Sequence, residues 1–89
     1  MPTREFAIIN KLGLHARAAS KFVTVASQYD AEIKVAKDGR VVSGKSIMGV
    51  MMLAAARGSQ IEVRAEGADA EAALDALEEL VRDRFGESQ

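Results

Sequence analysis

The feature that most narrows the fold of this chain is a single apolar stripe late in the sequence. Ala70, Ala73, Leu74, Leu77, Leu80, Val81 and Phe85 recur with the period of a helix that buries one face. Glu71 stands at its start, where a carboxylate complements the helix dipole. A stripe of this kind needs an apolar surface to cover it, and the segments that can supply one are short and alternate with period two. Ile61, Val63 and Ala65 alternate with Glu62, Arg64 and Glu66. Glu32 to Lys37 places Ile33 and Val35 on one side, Asp38-Gly39 is a two-residue hairpin signal, and Arg40 to Ser43 forms the return strand. Thr3 to Ile9, with Phe6, Ile8 and Ile9, reads as a first strand.

Two further helical segments complete the pattern. From Ala16 to Tyr29 the apolar positions are Ala16, Ala19, Phe22, Val23 and Ala26, with Arg17, Lys21, Thr24 and Gln28 on other faces. From Ser46 to about Ala56 a second helix starts on Ser46 as N-cap and stops before Gly58. Gly67-Ala68-Asp69 turns into the last helix, and Gly86 to Gln89 reads as a loose tail. The order β-α-β-β-α-β-α defines an α+β fold, an antiparallel sheet with its helices on one face. Pattern alone leaves two sheet orders open, 1-4-2-3 and 4-1-3-2.

Composition bounds the function. At 89 residues the chain is expected to be one small domain spanning 1–89, and 48% apolar with 28% charged residues describes a globular protein. Zero cysteines exclude disulfides and thiolate metal sites. A net charge of -1 argues against nonspecific nucleic-acid binding, which needs a basic face. The start, Met1 to Glu5, lacks the apolar core of a signal peptide, and the longest apolar run, Val50 to Ala56, is too short to span a membrane. A cytoplasmic location is expected.

Gly39-Arg40-Val41-Val42-Ser43-Gly44-Lys45-Ser46 matches the nucleotide-binding pattern G-x-x-x-x-G-K-S/T letter for letter. That motif must lie between a buried parallel strand and a helix, wrapping phosphates with backbone N–H groups. Here its middle is better used as the strand leaving the Asp38-Gly39 hairpin. No later apolar strand ends in an aspartate that could serve magnesium, so the match is rejected.

The stretch from Asn10 to Ser20 carries the chemistry. It contains the only histidine, His15, where a strand-like segment gives way to a helix. A helix start leaves about four N–H groups without intrahelical acceptors and bears partial positive charge, so an anion is favoured there. Arg17 adds a planar, permanently charged phosphate donor, and Gly13 allows a tight turn just before. An ordinary histidine, with a pKa of about 6.5, is largely neutral near pH 7, so a ring nitrogen can attack phosphorus without a general base. Spacing alone would also fit a capping histidine beside a solvated arginine.

Gly13-Leu14-His15-Ala16-Arg17-Ala18-Ala19 resembles the active-site signature of the histidine-containing phosphocarrier (HPr) family of the bacterial phosphoenolpyruvate-dependent phosphotransferase system. Gly44-Lys45-Ser46-Ile47-Met48-Gly49-Val50-Met51-Met52-Leu53 resembles that family's regulatory-serine segment at a matching distance. The resemblance implies an open-faced β-sandwich with sheet order 1-4-2-3 and three helices on one face. It implies that enzyme I passes a phosphoryl group to Nδ1 of His15, with Arg17 and the backbone amide of Ala16 stabilising it, and that His15 passes it to a histidine of an enzyme IIA domain. It also implies phosphorylation of Ser46 by an HPr kinase/phosphorylase, and docking of partners on Ser20, Ile47, Met48 and Met51. No cofactor, metal, nucleic acid or membrane is implied, and the carrier is expected to be a monomer in sugar transport or a nitrogen-related branch. The resemblance implies a covalently modified carrier more than a turnover enzyme.

On helical spacing, Met52 and Val50 are assigned to the core, while Ile47, Met48 and Met51 form an exposed, adaptable patch. Two departures from the family pattern stand out. Ala18 replaces a frequent proline, and Thr24 and Ser27 replace basic residues of the first helix. Two rivals fit worse. An acylphosphatase-like hydrolase needs an early glycine-rich phosphate loop, which Asn10 and Arg17 imitate poorly. An RNA-binding domain needs paired strand aromatics, which Phe6, Phe22, Phe85 and Tyr29 do not form.

Overall fold

A computed structural model of the protein describes residues 2–88; Met1 of the N-terminal stretch and Gln89 of the tail lie outside the described residues. Four strands, β1 (Thr3–Ala7), β2 (Glu32–Lys37), β3 (Arg40–Ser43) and β4 (Gln60–Glu66), alternate with three α-helices, α1 (Ala16–Ala26), α2 (Ile47–Met52) and α3 (Ala70–Arg82). All strand pairs are antiparallel and the sheet order is β1-β4-β2-β3, the 1-4-2-3 alternative.

The period-two pattern sets which face is buried. Phe6 lies opposite Ile61, Ile33 opposite Ala65, and Val35 opposite Val63 and Val42. These side chains meet the buried stripes of the helices, Ala19, Phe22 and Ala26 from α1 and Ala73, Leu74, Leu77 and Val81 from α3. The other face carries Glu5, Lys34 and Glu62. Asp38 and Gly39 both take positive φ, 52° and 83°, as a type I′ hairpin turn requires. The Asp69 carboxylate accepts from the amides of Asp30 and Ala31, both at 2.8 Å, and so pins the entry to β2 against the start of α3. Arg4 ties β1 to α3 through Glu71, Asp75 and Glu78 at 2.9, 2.7 and 2.8 Å.

Element ends differ from the sequence reading where tertiary contacts take the backbone. β1 ends at Ala7 because Ile8, though buried, bonds to the turn before β4: its amide to Ser59 O and its carbonyl to Gly58 N, both at 2.8 Å. α1 stops at Ala26 rather than Tyr29, its last bonds tightening to Gln28 N→Val25 O and Tyr29 N→Ala26 O. Ala16 is exposed, and Ala18 fills the buried position instead.

The second helix shows the largest difference. α2 ends at Met52, four residues before the expected Ala56, and Ala54 takes φ 51°. The segment beyond is needed elsewhere: Ala55 O accepts from Leu14 N at 2.9 Å, joining this segment to the loop before α1. With so short a helix only Val50 turns into the core, and Met52, expected there, is 59% exposed.

The final stripe also breaks early. α3 ends at Arg82, and a 3₁₀ turn spans Arg84–Gly86. Phe85 is still fully buried, but it reaches the core through left-handed backbone, φ 55°, instead of a continuing helix.

In the stretch matching the nucleotide motif, the loop amides of Gly44, Lys45 and Ser46 are already engaged. Gly44 N donates to Ile33 O at 2.7 Å, Lys45 N to Ser43 Oγ at 3.1 Å, and Ser46 N to Ser43 O at 3.2 Å. Lys45 Nζ donates to Tyr29 O at 2.7 Å, in the turn that follows α1. The loop therefore has no cradle of free N–H groups for a phosphate.

Candidate phosphoryl-acceptor site

Gly13 sets the geometry of the site. Its φ is +66°, and a Cβ built there would lie 2.5 Å from Ala55 O, so the turn admits only glycine without rearrangement. The turn delivers His15 to the N-cap of α1 in extended conformation, φ -74° and ψ 179°. The first helical bond runs from Ala19 N to His15 O at 2.8 Å, which leaves the amides of Ala16 to Ala18 without intrahelical acceptors.

His15 does not cap this helix with its side chain, and the first turn holds no acidic residue. The positive end of α1 thus keeps its affinity for an anion. The imidazole is partly buried, 29% exposed, and so reachable from solvent. It shares an open depression with Lys11, Leu12, Ala16, Arg17, Glu87 and Ser88. Of the residues singled out in the sequence, His15, Ala16 and Arg17 are therefore brought together.

Sequence reasoning missed two members of this neighbourhood. The Nε2 edge of His15 is held by Glu87 Oε2, from the segment read as a loose tail. Asn10 is fully buried, and its Nδ2 donates to Gly13 O at 2.8 Å and to Glu87 Oε1 at 3.0 Å; among the described residues its Oδ1 has no partner. The hydrogen bond to His15, supported by that from Asn10, by the charge of the His15 ring when protonated and by that of Lys21, holds the Glu87 carboxyl below the usual carboxylate range, against the opposing effect of burial. Only the carboxylate and the glycine before it hinted at this in sequence, because the contact joins positions seventy-two residues apart.

Ser46 lies outside the depression, at the N-cap of α2. Its Oγ accepts from Gly49 N at 3.1 Å, as the capping reading expects. Ile47, Met48 and Met51 are exposed on α2, Met48 at 74%, and α2 packs beside α1. Ser20 is exposed on α1, one turn beyond Arg17. Among the described residues, no helix is long and apolar enough to cross a membrane.

The fold and the site together describe a small α+β protein that presents a nucleophilic histidine at an anion-binding helix start. Comparison with known proteins gives the family. The model described as "PTS HPr component phosphorylation site" matches residues 2–83. Phosphocarrier protein HPr of Neisseria meningitidis is 52% identical over 89 residues, covering 100% of both chains. That of Pseudomonas aeruginosa is 51% identical over 90 residues, again covering 100% of both. A crystal structure of HPr-C-His from Thermoanaerobacter tengcongensis has a TM-score of 0.96 at 44% identity and covers 100% of each chain. The chain belongs to the HPr family, the phosphocarriers of the phosphotransferase system.

Proposed function

We propose that the protein, acting as a single cytoplasmic domain over residues 1–89, accepts a phosphoryl group from phosphorylated enzyme I on Nδ1 of His15 and passes it to a histidine of an enzyme IIA domain. The observation that carries this reading is the solvent-reachable imidazole at the start of α1, whose first turn is uncapped and holds no acidic residue, with Arg17 lining the same depression. The Nδ1 lone pair forms the new P–N bond while the donor's P–N bond breaks and its electrons return to the donor. The amides of Ala16 and Arg17 and the Arg17 guanidinium offer donors to the phosphoryl oxygens during in-line transfer. Neither a metal nor a cofactor enters this scheme.

Ser20, Ile47, Met48 and Met51 form the docking surface in this reading, an apolar and adaptable patch beside the acceptor histidine. Ser46 is the regulatory position, phosphorylated by HPr kinase/phosphorylase. Nearly two negative charges at that helix start would repel an acidic partner, and a loss of about 1.4 kcal/mol in docking means tenfold weaker binding. The carrier works as a monomer.

The test is incubation with phosphoenolpyruvate and enzyme I, reading acid-labile, base-stable phosphate on the protein. His15→Ala abolishes that label. Ser46→Ala leaves it intact and abolishes only a separate, acid-stable label made with ATP and the kinase. Persistent acid-labile label without His15 refutes the assignment.

A further inference from the structure

We propose that Glu87 is a positioning residue for phosphoryl transfer: its carboxylate holds the His15 ring with the proton on Nε2, so that Nδ1 presents its lone pair to the incoming phosphorus. The proposal rests on the reading of His15 as acceptor and adds what selects the reacting nitrogen.

Both carboxylate oxygens are engaged. Oε2 meets His15 Nε2 and Oε1 accepts from Asn10 Nδ2 at 3.0 Å. The side chain is only 15% exposed. Asn10 in turn donates to Gly13 O at 2.8 Å, so Glu87 is keyed to the turn that delivers His15. The segment carrying it is fastened on the core side. Phe85 is fully buried, Lys21 Nζ from α1 donates to Phe85 O at 2.6 Å, and Gly86 N and Glu87 N bond back to Asp83 O and Arg84 O at 3.0 and 2.9 Å.

The chemistry follows from what each group can donate. An ionised carboxylate only accepts, so the ring nitrogen against it is the one bearing hydrogen, and in a neutral imidazole the lone pair then sits on the other nitrogen. The lowered pKa of Glu87 keeps it ionised over the range where an ordinary imidazole is neutral. When Nδ1 bonds to phosphorus, the donor nitrogen leaves with the old bonding pair. The ring keeps its Nε2 proton and becomes cationic, facing a carboxylate already in place. No proton has to leave before attack, and the reverse step restores the same neutral tautomer.

The experiment measures two things on wild type, Glu87→Ala and Glu87→Gln: the ring ¹⁵N resonances of His15 at a pH where it is neutral, and the rate of phosphoryl acceptance from phosphorylated enzyme I. Wild type is expected to show the Nε2–H tautomer. Glu87→Ala is expected to move toward mixed tautomers and to accept phosphoryl about tenfold more slowly, the scale of loss when a histidine's orienting partner is removed. Glu87→Gln keeps the size but has one acceptor oxygen for two donors, so it falls between them and covers the case in which alanine disturbs folding. A wild-type ring with mixed tautomers, or a glutamine variant matching wild type in tautomer and rate, overturns the role of Glu87. Failure of wild type to take phosphate at all would instead refute the acceptor reading, while the tautomer measurement would still decide what Glu87 does.

Discussion

The starts of α1 and α2 use the same local device in opposite ways. At α2 the N-cap Ser46 turns its hydroxyl inward along the helix and accepts from Gly49 N, so the helix end is closed by its own side chain. At α1 the N-cap His15 makes no side-chain bond to the helix end, its Nε2 meeting Glu87 instead, and the first-turn amides keep their unmet capacity. A self-capped start stabilises a short helix, whereas an uncapped start forgoes that stability and leaves donors for a ligand. The difference teaches that the site at α1 depends on what the cap residue does not do, and that the tail makes this possible by taking the ring.

The comparison can be broken most severely at His15. His15→Ala is expected to eliminate acid-labile phosphorylation while changing the melting temperature little, because the ring caps nothing; a large drop in melting would mean that the ring does structural work at the helix start. Gly13→Ala comes next. A methyl group meeting Ala55 O in a left-handed backbone should cost more than about 1 kcal/mol and show as a lower denaturation midpoint, with slower phosphoryl acceptance as the entry to α1 shifts.

Ser46→Ala sharpens the other side of the comparison. Loss of the cap should cost about 1 kcal/mol, lowering the melting temperature by roughly 4–8 °C, with phosphoryl acceptance on His15 unchanged. The smallest effect concerns pH. The Glu87 carboxyl is held below its ordinary value of 4.5, so its contribution to stability is present above that value and is lost as pH falls through the lowered folded pKa. The part of the stability gap between wild type and Glu87→Gln that comes from the ionised carboxylate should therefore close as the pH falls below 4.5, as read by thermal melts carried into acid. A gap that does not depend on pH would show that the ionised carboxylate adds nothing through its partners.

Much of the fold was legible because its signals are local. The alternation around Ile33 and Val35, the Asp38-Gly39 turn and the stripe from Ala70 to Val81 each depend on neighbours a few residues away, and all appear in the structure at or near the expected bounds. What failed was the reading of ends. α2 was expected to run to Ala56, but Ala55 O is used by Leu14, and Met52 accordingly faces solvent. The helical period placed Phe85 on α3, yet the chain brings it to the core after leaving the helix. In both cases a distant partner outweighed a propensity worth less than a kcal/mol per residue.

The site divides in the same manner. His15, Ala16, Arg17 and Gly13 are contiguous, so their convergence at a helix start follows from the chain direction alone, and Ser46 is a cap by its position before an apolar helix. Asn10 and Glu87 enter only through folding. Their meeting requires the last turn to bend back over α1, with Phe85 buried and its carbonyl held by Lys21. Sequence by itself determined which residues could bear a phosphoryl group and which segments would be strand or helix, since those properties are set by side-chain chemistry and short-range periodicity. Tertiary structure alone decided which ring nitrogen of His15 faces a carboxylate and where each element stops, because those depend on hydrogen bonds between backbone and side chains that the sequence keeps far apart.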